Sequence, residues 1–119
     1  MHVAYWIKLY SALKDDFVMV YLNDAYYDLY LQPIGKSKGD YLGKTDTEFW
    51  GEDIATIYNA HDWEVYKTKR STIFKESINE EDKGKSEFVK IYIKDEQTGD
   101  EFISGMAIIL QEMKQEKRQ

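Results

Sequence analysis

The segment of residues 17–51 constrains the fold more than any other part of the chain, because it contains strand, helix and turn signals in a fixed order. Residues 17–22 (FVMVYL) are consecutive apolar residues rich in β-branched and aromatic types, which predicts a strand buried on both faces. Asn23 can then accept a hydrogen bond from the free N–H groups of a helix, and Asp24 suits the positive end of its dipole. We therefore expect a helix of about two turns that begins at Asn23 and ends near Pro33.

The second half of this segment predicts a loop followed by a short helix. Residues 33–40 contain two glycines and predict a mobile loop. Thr45 or Asp46 can cap the next helical turn. Phe49 and Trp50 at the end of that turn are expected to fold back over the sheet as a lid.

Residues 52–66 give the clearest helix pattern in the sequence. One buried face is predicted from apolar and aromatic residues at helical spacing, which are Ile54, Ile57, Tyr58, His61 and Val65. Residues 67–70 (KTKR) form a basic cluster that we interpret as a solvated helix end. They contain no glycine, so either the helix continues or a non-glycine residue makes the turn.

The remaining strands follow this helix. Residues 72–78 are predicted to form a short edge strand, with side chains that alternate between its two faces. Residues 79–85 are predicted to form an acidic turn. Residues 87–94 predict a half-buried strand with Val89, Ile91 and Ile93 on one face and Lys90 and Lys94 on the other. Residues 102–110 are more apolar and predict a central strand, in which Gly105 would allow a side chain or ligand to approach closely.

Composition excludes several classes of protein. The 119 residues include 16 Lys and Arg against 22 Asp and Glu, a formal charge of −6, which argues against nucleic-acid binding through phosphate contacts. There is no cysteine, so neither a disulfide framework nor a thiolate site is available. No apolar run approaches the roughly 20 residues that span a bilayer, so we expect a cytoplasmic protein without membrane insertion. The aromatic content of 15% fits both a tightly filled core and a ligand-lined cavity.

Several short motifs in order carry a resemblance to a known family. VYLNDAY (residues 20–26), YLGKTD (residues 41–46) and the pair Phe49-Trp50, followed by ISGMAI (residues 103–108), resemble the PAS sensory-domain family. The resemblance implies an α+β fold, PAS-like (profilin-like), with a five-stranded antiparallel sheet in the order 2-1-5-4-3 and helices packed on one face. It also implies a PAS-like domain over residues 1–110, with residues 111–119 as a polar C-terminal tail or the start of a signalling helix.

The same resemblance implies a non-catalytic sensory or regulatory domain that binds a small ligand or a partner and passes a signal to an effector domain or dimer partner. It places eight residues around the family's cavity: Tyr26, Tyr30, Trp50, Tyr58, His61, Val65, Ser104 and Met106. The cofactor stays unknown. A histidine on the long helix ligates haem in some relatives, which makes His61 a weak haem candidate, whereas the absence of cysteine excludes cysteine-linked chromophores. No metal site and no catalytic residue is predicted.

Two other interpretations remain open. One is a small α+β pocket enzyme or ligand-binding protein, which as an enzyme would need a carboxylate beside a histidine. His61 and Asp62 are adjacent in a helix and would point about 100° apart, which argues against a dyad between them. The other is a ligand-free dimerisation module, in which residues 3–10 and the C-terminal tail pair with a second copy.

Overall fold

The fold is an antiparallel sheet with helices packed on one face. The structure, a computed structural model, describes residues 3–74 and 86–109. In these ranges the strands are β1 (Val3–Ser11), β2 (Asp16–Leu22), β3 (Thr72–Phe74), β4 (Ser86–Lys94) and β5 (Glu101–Ile109). They form one sheet in the order β2-β1-β5-β4-β3, in which every neighbouring pair is antiparallel. The predicted α+β class and strand order are therefore confirmed.

The helical elements lie between β2 and β3. They are α1 (Asp24–Tyr26), a π-helical turn (Tyr27–Leu31), a 3₁₀ turn (Gln32–Ile34), α2 (Lys38–Tyr41), α3 (Asp46–Trp50) and α4 (Glu52–Thr68). In the described ranges no helix has both the length and the apolar character that crossing a bilayer requires. The predicted acidic turn at residues 79–85 and the tail at residues 111–119 lie outside the described residues.

Asn23 begins the first helix as predicted. Its side-chain oxygen accepts hydrogen bonds from the backbone N–H groups of Tyr26 and Tyr5, each at 3.0 Å, and its amide donates to the carbonyl of Val3 at 3.0 Å. One side chain thus caps α1 and fixes its position relative to β1. The helical path continues through the π-helical and 3₁₀ turns to Ile34, with Pro33 in the last turn.

The prediction that β2 is buried on both faces is wrong. Val20 and Tyr21 are 42% and 47% exposed, and β2 is an edge strand of the sheet. The pairing register with β1 shifts between Ile7 and Lys8, so a bulge changes which β2 residues face inward. The buried residues of β2 are Phe17, Met19 and Leu22.

The prediction of a loop over residues 33–40 is wrong at both ends, because Pro33 and Ile34 belong to the 3₁₀ turn and α2 begins at Lys38. Ser37 and Asp40 form a capping box: the Asp40 N–H donates to Ser37 Oγ, and the Ser37 N–H donates to Asp40 Oδ2 at 2.8 Å. Thr45 caps α3 as predicted, through a second capping box with Glu48.

The buried face of α4 agrees only in part with the predicted one. Ile54 and Ile57 are 40% and 59% exposed. The residues that face inward are Ala55, Tyr58, Asp62 and Val65. The prediction is therefore confirmed for Tyr58 and Val65 and wrong for Ile54 and Ile57, because the face is shared with the buried charge of Asp62, which an apolar pattern does not include. The helix ends at Thr68, and Lys69 makes the turn in the left-handed conformation, with φ 58°.

The inward face of β4 is also the reverse of the predicted one. Phe88 and Lys90 are 3% and 1% exposed, whereas Ile93 is 39% exposed. On the central strand β5, a methyl group at Gly105 would lie 2.2 Å from the Trp6 indole. The close approach predicted at this glycine is therefore confirmed, and the approaching group is a side chain of β1.

Candidate functional site

Two lysines on the inward face of the sheet meet two aspartates from the helices. Lys8 lies on β1 and Lys90 on β4, whereas Asp46 is the first residue of α3 and Asp62 lies on α4. Lys8 Nζ lies 2.7 Å from Asp46 Oδ2 and 2.8 Å from Asp62 Oδ2. Lys90 Nζ lies 3.0 Å from Asp62 Oδ1. We call these four residues the buried charge network, because no side chain among them is more than 4% exposed.

For Lys8 and Asp62, the neighbouring opposite charges affect the pKa more than burial does. Burial alone would lower the pKa of Lys8, but the neighbouring carboxylates of Asp46 and Asp62 hold it well above its usual range. Burial would likewise raise the pKa of Asp62, and the two lysines hold it below its usual value. Lys8 and Asp62 are therefore both charged at neutral pH, and each depends on the other's charge.

Two aromatic side chains extend the network to the end of α3. The Tyr41 hydroxyl donates a hydrogen bond to Asp46, and Trp50 Nε1 donates to the Tyr41 hydroxyl at 3.1 Å. Burial and the carboxylate of Asp46 together raise the pKa of Tyr41 well above its usual value. Phe49 stacks on the Tyr41 ring, with ring centroids 4.2 Å apart. A continuous chain of hydrogen bonds thus runs from Trp50 through Tyr41 and Asp46 to Lys8.

A small cavity lies beside the network. Its volume is about 20 Å³, which is room for about one water molecule. The lining residues are Trp6, Lys8, Tyr26, Tyr41, Asp46, Trp50, Tyr58, Phe88 and Lys90.

An apolar groove of about 300 Å³ is also lined by Trp50. It is lined by Leu29, Tyr30, Pro33, Ile34, Phe49, Trp50 and Ile54. Trp50 therefore forms a wall shared by the inner cavity and this outer groove.

Three of the eight predicted cavity residues line the cavity, namely Tyr26, Trp50 and Tyr58. Tyr30 lines the outer groove instead. Val65 is fully buried in a separate core cluster, which it forms with Phe17, Phe74 and Ile103.

The other three predicted residues lie away from the cavity. The His61 imidazole stacks on the Phe74 ring, with centroids 4.0 Å apart and an interplanar angle of 18°. Ser104 and Met106 alternate on β5 with Ile103 and Ala107, which belong to the core on the helix side. Their side chains therefore lie on the opposite face, where the Ser104 hydroxyl donates to the Trp6 carbonyl and Met106 is 40% exposed.

Sequence reasoning missed the four charged residues and Tyr41. The sequence pattern places Lys90 on the face of its strand opposite the apolar residues and assigns Lys8, Asp46 and Asp62 no role in the core, because isolated charges are rarely buried. The sequence contains one signal for the two lysines, which is their spacing from buried aromatic residues. Lys8 is two residues from Trp6 and Lys90 is two residues from Phe88, so each lysine lies on the same face of its strand as the aromatic residue. Within the described ranges, no group of three or more His, Cys, Asp or Glu residues is placed to hold a metal ion.

The sheet order and the helices on one face define the fold of a PAS-like domain, which confirms the resemblance at the level of the fold. The chain is similar to the PAS domain of BvgS from Bordetella pertussis, with a TM-score of 0.61 and 16% sequence identity. The match covers 97% of this chain and 87% of that one. No protein-family model and no curated protein matches the sequence.

Proposed function

We propose that the chain is a non-catalytic sensory or regulatory module of the PAS type, in which a small ligand or a protein partner changes how α3 and α4 pack on the sheet. The observation that supports this proposal best is the buried charge network, which joins both helices to β1 and β4 beside the cavity. A ligand or partner can shift the packing of these helices only to the extent that it binds one packing arrangement more tightly than the other.

The position of Trp50 supports a route for a ligand. Ligand pockets usually have volumes of about 300 Å³ or more, so the inner cavity of about 20 Å³ is too small without movement of its walls. Displacement of the Trp50 ring would join this cavity to the outer groove of about 300 Å³. The same movement would break the hydrogen bond from Trp50 to Tyr41, and so disturb the Asp46 carboxylate that pairs with Lys8.

The output of the module is proposed to run through β5. This strand is central in the sheet, pairs with both β1 and β4, and leads directly to residues 110–119. A change at the network would pass along it to an effector domain or a dimer partner. The homodimer and the cytoplasmic location stay predictions.

The geometry favours this role over the pocket enzyme. That interpretation requires a carboxylate beside a histidine in the cavity. Asp62 pairs with both lysines of the network, whereas the adjacent His61 stacks on Phe74. This pair therefore supports no acid–base dyad.

Native mass spectrometry of gently purified protein, compared with its denatured mass, tests the proposal. We expect the native protein to carry the additional mass of a bound ligand, which is lost on denaturation. Less of this ligand should be bound by Trp50→Leu, because Trp50 borders both the inner cavity and the outer groove. Trp63→Leu is the matched control, since Trp63 packs against the other core cluster, and it should retain the ligand. A bare mass in the form of a dimer would contradict the ligand sensor and favour the dimerisation module.

A further inference from the structure

A second cluster of aromatic and charged groups lies at the C-terminal end of α4, where Lys69 meets β4 and β5. Lys69 Nζ lies 4.1 Å from the ring centroid of Tyr66 and 4.4 Å from that of Tyr92. It also lies 3.2 Å from Oε2 of Glu101. Two ring faces and one carboxylate thus surround one ammonium group, which is the arrangement of an aromatic cage.

The walls of this cage are held by contacts that do not involve Lys69. The hydroxyls of Tyr66 and Tyr92 both donate hydrogen bonds to Glu101, the former at 2.9 Å. The Tyr66 ring also stacks on Tyr10, with centroids 4.9 Å apart, and its edge meets Phe17 at 5.4 Å. The cage is therefore expected to keep its shape when the lysine leaves.

The carboxylate in the cage is charged at every physiological pH. Hydrogen bonds from Tyr92 and Tyr66, with the nearby Lys69 ammonium, lower the pKa of Glu101 to about 2. The hydrogen bond to Glu101 and partial burial raise the pKa of Tyr92 to about 12, so this hydroxyl remains a donor. The site thus presents a fixed negative charge beside two neutral rings.

Lys69, in contrast, can leave. Its side chain is 47% exposed, so solvent reaches the side chain while its ammonium group lies in the cage. An exposed primary ammonium also retains strong hydration, which competes with the cage. The walls of the cage are therefore fixed, whereas the lysine inside it can be replaced. A ligand site that a side chain of the same protein fills in the absence of ligand requires both properties.

We propose that Tyr66, Tyr92 and Glu101 form a binding site for a quaternary ammonium group, which Lys69 of the same chain occupies until the ligand displaces it. A quaternary ammonium suits the site because its methyl groups can contact both ring faces while its charge faces the carboxylate. The site is separate from the cavity beside Lys8 and does not depend on the proposed function.

Nuclear magnetic resonance titration with tetramethylammonium chloride tests the proposal. Isotopically labelled protein is titrated at constant ionic strength, with sodium chloride as the reference salt. We expect saturable shifts at the end of α4 and in β4 and β5, with a Kd for Lys69→Ala about tenfold or more below that of the wild type, because the internal competitor is gone. The wild type should show the same shifts at higher concentration.

Two control variants make the test specific. Lys67→Ala removes an equal charge two residues away, where Nζ lies 5.8 Å from the Trp63 ring, and should bind like the wild type. Lys69→Ala combined with Tyr92→Leu removes one wall and should abolish saturable shifts, with folding checked by circular dichroism. The proposal is overturned if folded Lys69→Ala shows no saturable shift, if the double variant binds equally well, or if the wild type shows no shift at about a hundred times the Lys69→Ala Kd.

A parallel titration with a trimethyllysine analogue distinguishes two sources of the ligand. A tighter Kd for the analogue than for tetramethylammonium would assign the group to a modified protein side chain. An equal Kd would assign it to a free ion. Both results require the same cage, and binding that survives loss of the Tyr92 ring contradicts it in either titration.

Discussion

At the scale of single residues, Lys8 is the group on which the buried charge network depends. It contacts the carboxylates of both aspartates, whereas Lys90 contacts that of Asp62. Removing one partner of a buried ion pair leaves a charge without compensation, and this costs more than the pair itself contributes. The stability of the domain should therefore respond strongly to Lys8 and much less to exposed lysines.

We expect Lys8→Met to lower the free energy of unfolding by about 3–5 kcal/mol, because the buried carboxylate of Asp46 loses its ion pair with Lys8. The double variant Lys8→Met/Asp46→Asn should recover part of this loss, since asparagine carries no charge and its carbonyl can still accept the Tyr41 hydrogen bond. Urea unfolding at neutral pH measures both values.

Lys14→Met provides the control for this prediction. Lys14 pairs with Glu48 on the surface, where both side chains are more than a third exposed, and such pairs contribute little. Its loss of stability should be much smaller than that of Lys8→Met. Equal effects of the two substitutions would show that the network does not stabilise the fold in the way its burial implies.

At the scale of secondary-structure elements, Asn23 connects α1 to the sheet. We expect Asn23→Ala to lower the free energy of unfolding by about 2 kcal/mol, because it removes the cap of α1 and two hydrogen bonds to β1. Asn23→Asp should cost less, since a carboxylate retains the acceptor but not the donor to Val3. Chemical denaturation of both variants measures the difference.

Ser37→Ala is the matched control for this second prediction. It removes the cap of the four-residue helix α2, and Ser37 is an exposed residue whose capping hydrogen bonds are made with Asp40 of the same helix rather than with the sheet. Its effect on stability should be clearly smaller than that of Asn23→Ala. If the two substitutions cost the same, the contacts of Asn23 with β1 add nothing to its capping role.

The elements also explain which parts of the fold could be predicted from sequence. Asn23 and Thr45 were recognisable as caps because capping depends on a few adjacent residues. The inward face of β4 and part of that of α4 could not be assigned, because Lys90 and Asp62 are stabilised by partners distant in sequence. The site was missed for the same reason: each charge is acceptable in the core only when its partner is already in place.

At the scale of the whole molecule, the buried charge network joins α3, α4, β1 and β4, so its titration should affect the global stability of the described fold. The folded-state pKa of Asp62 lies below its ordinary value of 3.8. Its contribution to stability is therefore complete at pH values above about 4 and is lost as the pH falls through the lowered folded-state pKa, because the unfolded chain binds the proton first. Lys8 acts in the opposite direction: its raised pKa contributes stability that is complete below about pH 10 and is lost in stronger alkali.

The acid side of this behaviour gives a test at the same scale. The free energy of unfolding of the wild type should fall as the pH is lowered from 5 to 2, and the fall should be shallower in Asp62→Asn/Lys90→Met. This double variant removes the titration of Asp62 and its second lysine together, and it leaves Lys8 paired with Asp46. Glu48 and Glu101, whose pKa values are lowered to about 2, titrate in both proteins, so the difference between the two curves reports the loss of the Asp62–Lys90 pair. Urea unfolding at each pH measures the two slopes. Parallel curves would mean that Asp62 is protonated equally in the folded and unfolded chains. That result would be incompatible with an ionised Asp62 between two buried lysines.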